Sequence, residues 1–452
     1  MRRLNPILAF VAVVAFGVPS QPAALEPPTP QRPIRWPTRV VKIAISNSLT
    51  ASSTSIAAGS DVAGALQRAL DNWSVASGVK FLLVTSAGDS ISPAGAGDGV
   101  NLITVASTSE NLGIFAGGNN AARTRVHYDQ VTGNIGEADI VINPYPRSPE
   151  GAPLLFTTDG TPGTYDLQST FAHEIGHLLG LNHSNVIAST MQETQGLNGT
   201  FGMPAFDERS LSESDLIAVR TLYGPCENLG TVNGKVLNNL TARDTPAAGA
   251  HVWIESVDSG RVVASSIVGA GGRFSIGCLP AGEYRAVVER FDNIADDDSL
   301  TAVRETRLTG RQKTLRASEI SSYLSVSADQ ESPLNFLLAP IQKTGRVLRP
   351  RYFGINGDLS TVPVSVEADS KLRLYIGGPG VDQVLGSGLA VSSPFFTVDG
   401  ASLKLQTGGS IPVISFDVTI AADAPPGDYS VRLRSKTGEL AYLVGAITVN
   451  DF

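Results

Sequence analysis

The segment HEIGHLLGLNH, residues 173–183, contains three of the five histidines in a chain of 452 residues. His173 and His177 are four positions apart, so on a helix they lie on one face and can direct imidazole nitrogens at one point. Glu174 lies next to His173 but points in a different direction around the helix. Its carboxyl can therefore reach a molecule bound at that point without itself binding a metal ion held by the histidines. Histidine nitrogens are common zinc ligands, and the spacing predicts a metal site on a helix.

The rest of the segment supplies a third nitrogen. Gly180 has no Cβ and can adopt a positive φ, so the helix can end there and the chain can turn back. His183 follows this turn and can complete the site. Three neutral nitrogen ligands leave a fourth position open for water, which a catalytic zinc requires, whereas a structural zinc would have a fourth protein ligand. No cysteine lies close in sequence to provide one.

Apolar spacing places the histidines on the second of three main helices. The first helix begins at Ser60-Asp61 and ends at Gly78, the second covers about residues 167–179, and the third begins at Ser212 and ends at Gly224-Pro225. Strand-like runs separate them, namely RVVKIAIS, VKFLLV, VNLITVA, TRVHYD and ADIVIN. These elements predict an α+β domain over residues 38–225.

Helical periodicity disappears after this domain. Short alternating strands and turns take over, which predicts two all-β sandwiches at residues 226–341 and 342–452. One pattern recurs in both, as LPAGEYRAVV and APPGDYSVRL, each a turn followed by an acid, a tyrosine and a strand. The fold prediction is therefore a multidomain chain, α+β first and then two sandwiches.

The chain begins with features of an export signal. Two arginines precede an apolar run at residues 7–18, and small residues follow, so residues 1–24 are interpreted as a signal peptide. The run is shorter than the roughly 20 residues that span a bilayer, so we expect no membrane span after cleavage. A Pro-rich linker at 25–37 leads into the first domain. We expect a secreted, extracellular protein, with attachment to the cell surface left open.

The net charge argues against one class of partner, and the cysteine content predicts a crosslink. The formal net charge of −8 argues against a nucleic-acid partner, which would need a basic face. Cys226 and Cys278 are the only cysteines, and an even pair in an exported chain predicts a disulfide, with two buried free thiols as the alternative.

The zinc motif and its surroundings resemble a known family. HEIGHLLGLNHS, followed by STM at 189–191, resembles the zinc signature and Met-turn of the metzincin metallopeptidases. Ser184 directly after the third histidine and LSESDLIAVRTLYG at 211–224 are similar to the matrixin branch, that of the matrix metalloproteinases. The resemblance implies a mixed twisted sheet with three main helices in the first domain.

The resemblance also implies residue roles. His173, His177 and His183 would bind one catalytic Zn²⁺, Glu174 would be the general base that activates water, and Met191 would lie beneath the metal. A protein or peptide substrate would bind extended along an edge strand near residues 121–128. The reaction would be hydrolysis of peptide bonds in extracellular proteins. Calcium binding is common in the family, but the sequence assigns no ligands to it.

Three departures from the family pattern are present. No cysteine precedes Cys226, so the residue that blocks zinc in matrixin zymogens has no counterpart, and we expect activity without proteolytic activation. His127 is the only histidine in the sheet region, so the second zinc site of vertebrate matrixins is not expected and His127 is interpreted as an ordinary strand residue. Gln192 and Glu193 follow Met191 in place of Pro-Tyr.

The remaining features have ordinary interpretations. Residues 229–340 resemble the carboxypeptidase regulatory-like (transthyretin-like) sandwich, and the region from 343 resembles an immunoglobulin-like domain; such modules bind surfaces or glycans, or act as spacers. His251 is interpreted as a surface residue because no partner lies nearby in sequence. The acidic run at 296–298 is interpreted as a solvated loop.

Two alternatives to a matrixin-type peptidase stay open. The chain could be an adhesion or surface-binding protein whose protease domain is vestigial, or a metzincin of another branch. The first alternative predicts a broken active site, yet the three histidines and Glu174 are all present.

Overall fold

The computed structural model describes residues 32–51, 53–115, 120–148, 151–239, 244–291, 303–305, 315–338, 348–406 and 411–450. The interpreted signal peptide, residues 25–31 of the linker and the acidic run at 296–298 lie outside these ranges. Within them, no helix is both long and apolar enough to cross a lipid bilayer.

The N-terminal unit is built on a mixed sheet. Its strands pair in the order β4-β5-β3-β1-β2, parallel except for β4, which is antiparallel to β5. A further short pair, β6 and β7, precedes the histidine helix. The strands are β1 (Val40–Ser46), β2 (Lys80–Ser86), β3 (Asn101–Thr104), β4 (Ala122–Tyr128), β5 (Ile135–Ile142), β6 (Phe156–Thr157) and β7 (Tyr165–Asp166).

The helices of this unit begin and end where the sequence signals lie. They are α1 (Val62–Ser77), α2 (Ser109–Gly113), α3 (Leu167–Leu178) and α4 (Glu213–Tyr223). Asp61 accepts a hydrogen bond from the backbone of Gly64 at the start of α1, and Gly78 ends that helix at φ 70°. Ser212 and Asp215 form a capping box at α4. The three predicted helices are confirmed, and α2 is a short helix that the sequence reading missed.

One core holds the sheet and the helices together. Trp73 of α1 is fully buried, and its indole N–H donates to the carbonyl of Ala172 in α3 at 2.7 Å. Buried Trp and Tyr need such partners for their polar atoms. This contact fixes the histidine helix against α1.

The chain after α4 forms a first sandwich, which we call the middle sandwich. One sheet has the order β12-β8-β16 and the other β11-β10-β13-β15. Cys226 and Cys278 are joined by a disulfide that ties the start of this unit to β12. The strands are β8 (Gly230–Asn238), β9 (Thr245–Pro246), β10 (His251–Ser256), β11 (Val262–Ile267), β12 (Arg273–Leu279), β13 (Gly282–Phe291), β14 (Val303–Glu305), β15 (Leu315–Val326) and β16 (Glu331–Leu338).

Strand β14 does not belong to the middle sandwich. It pairs antiparallel with β4 of the N-terminal unit, with Val303 opposite His127 and Glu305 opposite Arg125. The N-terminal sheet therefore has six strands, with β14 at the edge beyond β4.

A second sandwich, the C-terminal sandwich, completes the chain. One sheet has the order β17-β19-β22-β21, and in the other β24 pairs with β18 and β23, with β20 outside β23. Ala317 of β15 pairs with Leu440 of β24, so the two sandwiches share a continuous sheet. The strands are β17 (Tyr352–Ile355), β18 (Val364–Val366), β19 (Lys371–Gly377), β20 (Val384–Val391), β21 (Phe396–Gln406), β22 (Val413–Ile420), β23 (Gly427–Ser435) and β24 (Leu440–Val449).

The sequence pattern that recurs in the two sandwiches has a structural counterpart. Tyr284 donates its hydroxyl to the carbonyl of Pro280 at 2.9 Å, and Tyr429 donates to that of Pro425 at 2.5 Å. Each tyrosine thus bonds to the backbone four residues upstream and holds the turn before its strand, as in the tyrosine corner of immunoglobulin-like sandwiches.

Candidate metal centre

Helix α3 positions the first two histidines. Asp166 caps its start by accepting a hydrogen bond from the backbone of Ser169 at 2.8 Å, and every residue of the helix is buried. Gly180 follows the helix at φ 95°, where a Cβ would lie 2.3 Å from the carbonyl oxygen of Ile34. Glycine is therefore needed twice here, for its backbone angle and for its lack of a side chain.

The turn at Gly180 brings the third histidine to the other two. One nitrogen from each of His173, His177 and His183 lies within 4.8 Å of the others. The Nε2 atoms of His173 and His177 are 3.0 Å apart. The residues that the sequence predicted to share a site are therefore together in space.

The hydrogen bonds of the rings suit a metal. The Nδ1 of His173 lies 2.8 Å from the carbonyl oxygen of Thr190, and the Nδ1 of His177 lies 2.8 Å from that of Leu181. A carbonyl can only accept, so both Nδ1 atoms carry the hydrogen and both Nε2 atoms present lone pairs. Two lone pairs this close repel each other unless a cation near both atoms accepts them, and imidazole nitrogens are ligands that suit zinc.

Burial keeps the first of these rings neutral. It lowers the pKa of His173 to about 4, although the bond to Thr190 opposes this shift. A metal needs the neutral ring as its ligand.

Glu174 lies beside the histidines and is fully buried. Burial raises the pKa of its carboxyl to about 8, against the lowering effects of a hydrogen bond from Thr124 and the charge of Arg123. Thr124 of β4 donates to Oε2 at 2.5 Å, while Oε1 has no hydrogen-bond partner among the described residues. One oxygen is thus held in place and the other is left for a molecule at the metal position.

Met191 packs beneath the histidine helix. It is 2% exposed, and a Cβ at Gly176 would lie 2.2 Å from its sulfur and 2.9 Å from the ring of Trp73. The glycine inside the HEIGH motif therefore makes room for both side chains.

The turn before Met191 is held by a residue that sequence reasoning assigned only to helix capping. Asp215 accepts hydrogen bonds from the hydroxyl of Ser189 at 2.5 Å and from the backbone of Thr190 at 2.8 Å. The same Thr190 presents its carbonyl to His173. The capping box pointed to Asp215, but only the fold shows that it also orients a ring of the site.

The other two histidines lie apart from this site. His127 is in β4, with its Nε2 3.7 Å from an oxygen of Glu137. His251 was interpreted as a surface residue, and this was wrong: it is 1% exposed and its ring stacks against Trp253 at 5.1 Å. Strand β10 lies between β11 and β13 in its sheet, and five consecutive residues from His251 to Glu255 are buried, so both faces of the strand are covered.

Comparison with known proteins finds one family match and a related peptidase. Residues 35–224 match the family model of the matrixins. A metalloendoproteinase of Arabidopsis thaliana, 4-MMP, is 36% identical over 80 residues, which are 18% of this chain and 20% of that protein. The chain thus spans about a fifth of the length of this relative. Residues 35–224 form a matrixin-like domain.

Similarity to solved structures is low. A minor pilin of Streptococcus agalactiae has 10% identity and a TM-score of 0.17, over 27% of this chain and 49% of the pilin. The major pilin subunit of Bacillus cereus has 11% identity and a TM-score of 0.14, over 47% of this chain and 66% of that chain. Similarity at this level says nothing about fold or function.

Proposed function

We propose that the chain is a secreted zinc endopeptidase of matrixin type that hydrolyses peptide bonds of extracellular proteins. The observation that carries the proposal is the convergence of the Nε2 atoms of His173 and His177, 3.0 Å apart, with each Nδ1 held by a carbonyl. The matrixin family match over residues 35–224 supports it. Export is supported by the apolar run behind two arginines at the start of the sequence.

The reaction would use the three histidines and Glu174 in different roles. The histidines would hold zinc, which when bound lowers the pKa of water and polarises the scissile carbonyl. Glu174 would take the proton of the attacking water and return it to the leaving amine. Its Oε1, which has no protein partner among the described residues, is the atom suited to this transfer.

Substrate binding would use the outer edge of β4. Thr124 contacts Glu174, so a peptide strand paired along β4 passes the catalytic carboxyl. In this structure β14 pairs with β4 from Arg125 to His127. A substrate strand along these positions would therefore replace β14.

An adhesion protein with a vestigial protease domain is the rival from another class. Its support is the two sandwiches, whose predicted carboxypeptidase regulatory-like and immunoglobulin-like types would suit binding to a surface or glycan. It does not explain why the complete donor set and the buried Glu174 are present. A metzincin of another branch would share the chemistry and differ in its substrates. Binding of calcium stays a proposal, and no ligands are assigned to it.

The test measures metal content and turnover together. We expect purified protein to contain about one zinc per chain and to cleave members of a peptide library. A chelator should abolish cleavage, and added zinc should restore it. Protein that binds zinc but cleaves no peptide would overturn the proposal in favour of the adhesion protein.

A further inference from the structure

The loop from residue 184 to residue 191 connects the third histidine to Met191, and both sandwiches hold it. Val186, in the middle of this loop, is fully buried. It belongs to a hydrophobic cluster whose other members come from the middle and C-terminal sandwiches, namely Trp253, Val262, Val287, Tyr442 and Val444. Among the described residues, Val186 is the one member of this cluster that comes from the N-terminal unit.

The next residue is anchored to the C-terminal sandwich in two ways. The backbone N–H of Ile187 donates to the carbonyl of Val444 at 2.8 Å. The side chain of Ile187 is 9% exposed and belongs to the core of that sandwich. The backbone hydrogen bond and the burial of the apolar side chain together hold the loop in one position against the C-terminal sandwich.

These anchors are connected to the metal centre over a short distance. Within the loop, the backbone of Ser184 donates to the carbonyl of Met191 at 2.7 Å, which closes the loop into a compact turn. Ser184 directly follows His183, and Val186 follows two residues later. A shift of Val186 or Ile187 therefore moves His183, and the closing bond transmits it to Met191.

The fit around Val186 leaves no spare room. Gly445 of β24 has φ 64°, and a Cβ there would lie 2.6 Å from Cγ1 of Val186. Closely packed interiors transmit such strain because there is no void to absorb it.

We propose that the two sandwiches are a brace for the metal centre, and that Val186, Ile187 and Gly445 are positioning residues for His183. The brace acts on the zinc peptidase proposed above and so rests on that function. The sandwiches would then be needed for full zinc affinity, whether or not they also bind another molecule.

The test uses the full chain and a compensating pair. Gly445→Ala introduces the Cβ against Val186, whereas Val186→Ala removes the methyl groups that it would meet. The matched control is Gly438→Ala, since Gly438 also has a positive φ, 88°, but no atom of the described residues lies within 4 Å of its Cβ position. Zinc affinity is measured by competition with a chromophoric chelator, and the Co²⁺-substituted protein reports ligand geometry in its visible spectrum.

We expect Gly445→Ala to weaken zinc binding by about tenfold or more and to alter the cobalt spectrum, because one of three ligands is displaced. Gly438→Ala should leave both unchanged. The double variant Val186→Ala/Gly445→Ala should bind zinc better than Gly445→Ala alone, since the two residues are in contact and their effects do not add.

Two failures are distinguishable. If wild type binds zinc and Gly445→Ala lowers only the melting temperature, with unchanged zinc affinity and cobalt spectrum, the brace proposal is overturned and the proposed function stands. If wild type itself holds no zinc, the proposed function is overturned and the brace with it.

Discussion

The hydroxyl of Thr124 donates a 2.5 Å hydrogen bond to Oε2 of Glu174 and links the edge strand β4 to the carboxyl of the candidate metal centre. The two residues are 50 positions apart in sequence and both are buried. Loss of a hydrogen-bond donor to a buried oxygen costs more than loss of one at the surface, because no water replaces it. The strand proposed to bind substrate and the proposed general base are therefore one connected unit.

Loss of this hydroxyl should impair catalysis without removing the metal. Thr124→Val keeps the shape of the side chain but leaves the buried Oε2 without its donor, at a cost of about 1–3 kcal/mol. We expect kcat to fall by about tenfold or more with normal zinc content. Thr124→Ser keeps the hydroxyl and is the control, so equal losses in the two variants would contradict the role of this bond.

Replacing Glu174 itself separates chemistry from metal binding. Glu174→Gln keeps the volume of a fully buried side chain, so we expect a melting temperature and zinc content near those of wild type. Peptide turnover should fall by roughly 10²–10⁴-fold, the range for loss of a general base. Steady-state cleavage of a fluorogenic peptide, with metal analysis of the same sample, checks this. More than about a tenth of wild-type turnover would show that Glu174 is not the base.

The parts of the site that lie within one local pattern could be predicted from sequence. The helix spacing of His173 and His177 and the positive φ of Gly180 follow from rules that act over a few residues. Contacts between distant segments could not be predicted in this way. Thr124 and Val186 carry no local signal, because their partners are chosen by the packing of whole sheets. The exposure assigned to His251 failed for the same reason.

Local sequence patterns also could not predict that β14 pairs with β4. The family resemblance implied that the edge near residues 121–128 binds an extended strand, but nothing in the sequence indicated that the chain itself supplies one. Edge strands present unpaired backbone groups, so any nearby extended segment competes for them. The capping box at Ser212 shows the same limit, since Asp215 was expected at α4 but its bonds to the turn before Met191 were not.

The turn at Gly180 should be intolerant of any side chain. In Gly180→Ala the new Cβ would meet the carbonyl oxygen of Ile34, a backbone atom that cannot rotate away. We expect zinc affinity and turnover to fall together, as in His183→Ala, because the third ligand is displaced in both.

The matched control for this turn is Gly163→Ala. Gly163 also has a positive φ, 78°, but its Cβ position has no neighbour within 4 Å in the part of the chain that the structure describes. It should therefore show only the backbone strain, as a small drop in melting temperature with normal zinc affinity. A Gly180→Ala protein that binds zinc like this control would contradict the proposed turn.

Release of β14 should make the edge of β4 more available. In an antiparallel pair successive N–H groups point alternately toward and away from the partner, so the double change Val303→Pro/Arg304→Pro removes any donor that either residue offers β4. Losing about one hydrogen bond of about 1 kcal/mol should raise kcat/KM for long peptides several-fold. The double change Val303→Ala/Arg304→Ala keeps both N–H groups and should have little effect. Unchanged or lower kcat/KM in the proline variant would show that β14 does not compete with substrate.

Asp428, which lines a cavity of about 660 Å³ together with His173, should make the stability of the protein depend on pH. Burial raises its pKa to about 7, and the nearby charges of Asp215 and Glu213 add to this shift. A bond from Thr448 and the charge of Arg261 oppose it. The folded chain therefore favours the protonated carboxyl more than the unfolded chain does.

The sign of the effect follows from this difference. The stabilisation is fully present below the ordinary pKa of 3.8 and is lost as pH rises through about 7. Asp428→Asn cannot ionise, so its melting temperature should fall less than that of wild type between pH 4 and pH 8, by an amount equivalent to a few kcal/mol at most. The exposed Asp423 provides the control Asp423→Asn, which should follow wild type. Calorimetry across this pH range measures the melting temperatures. If they change with pH in the same way for wild type and Asp428→Asn, Asp428 does not titrate in this window.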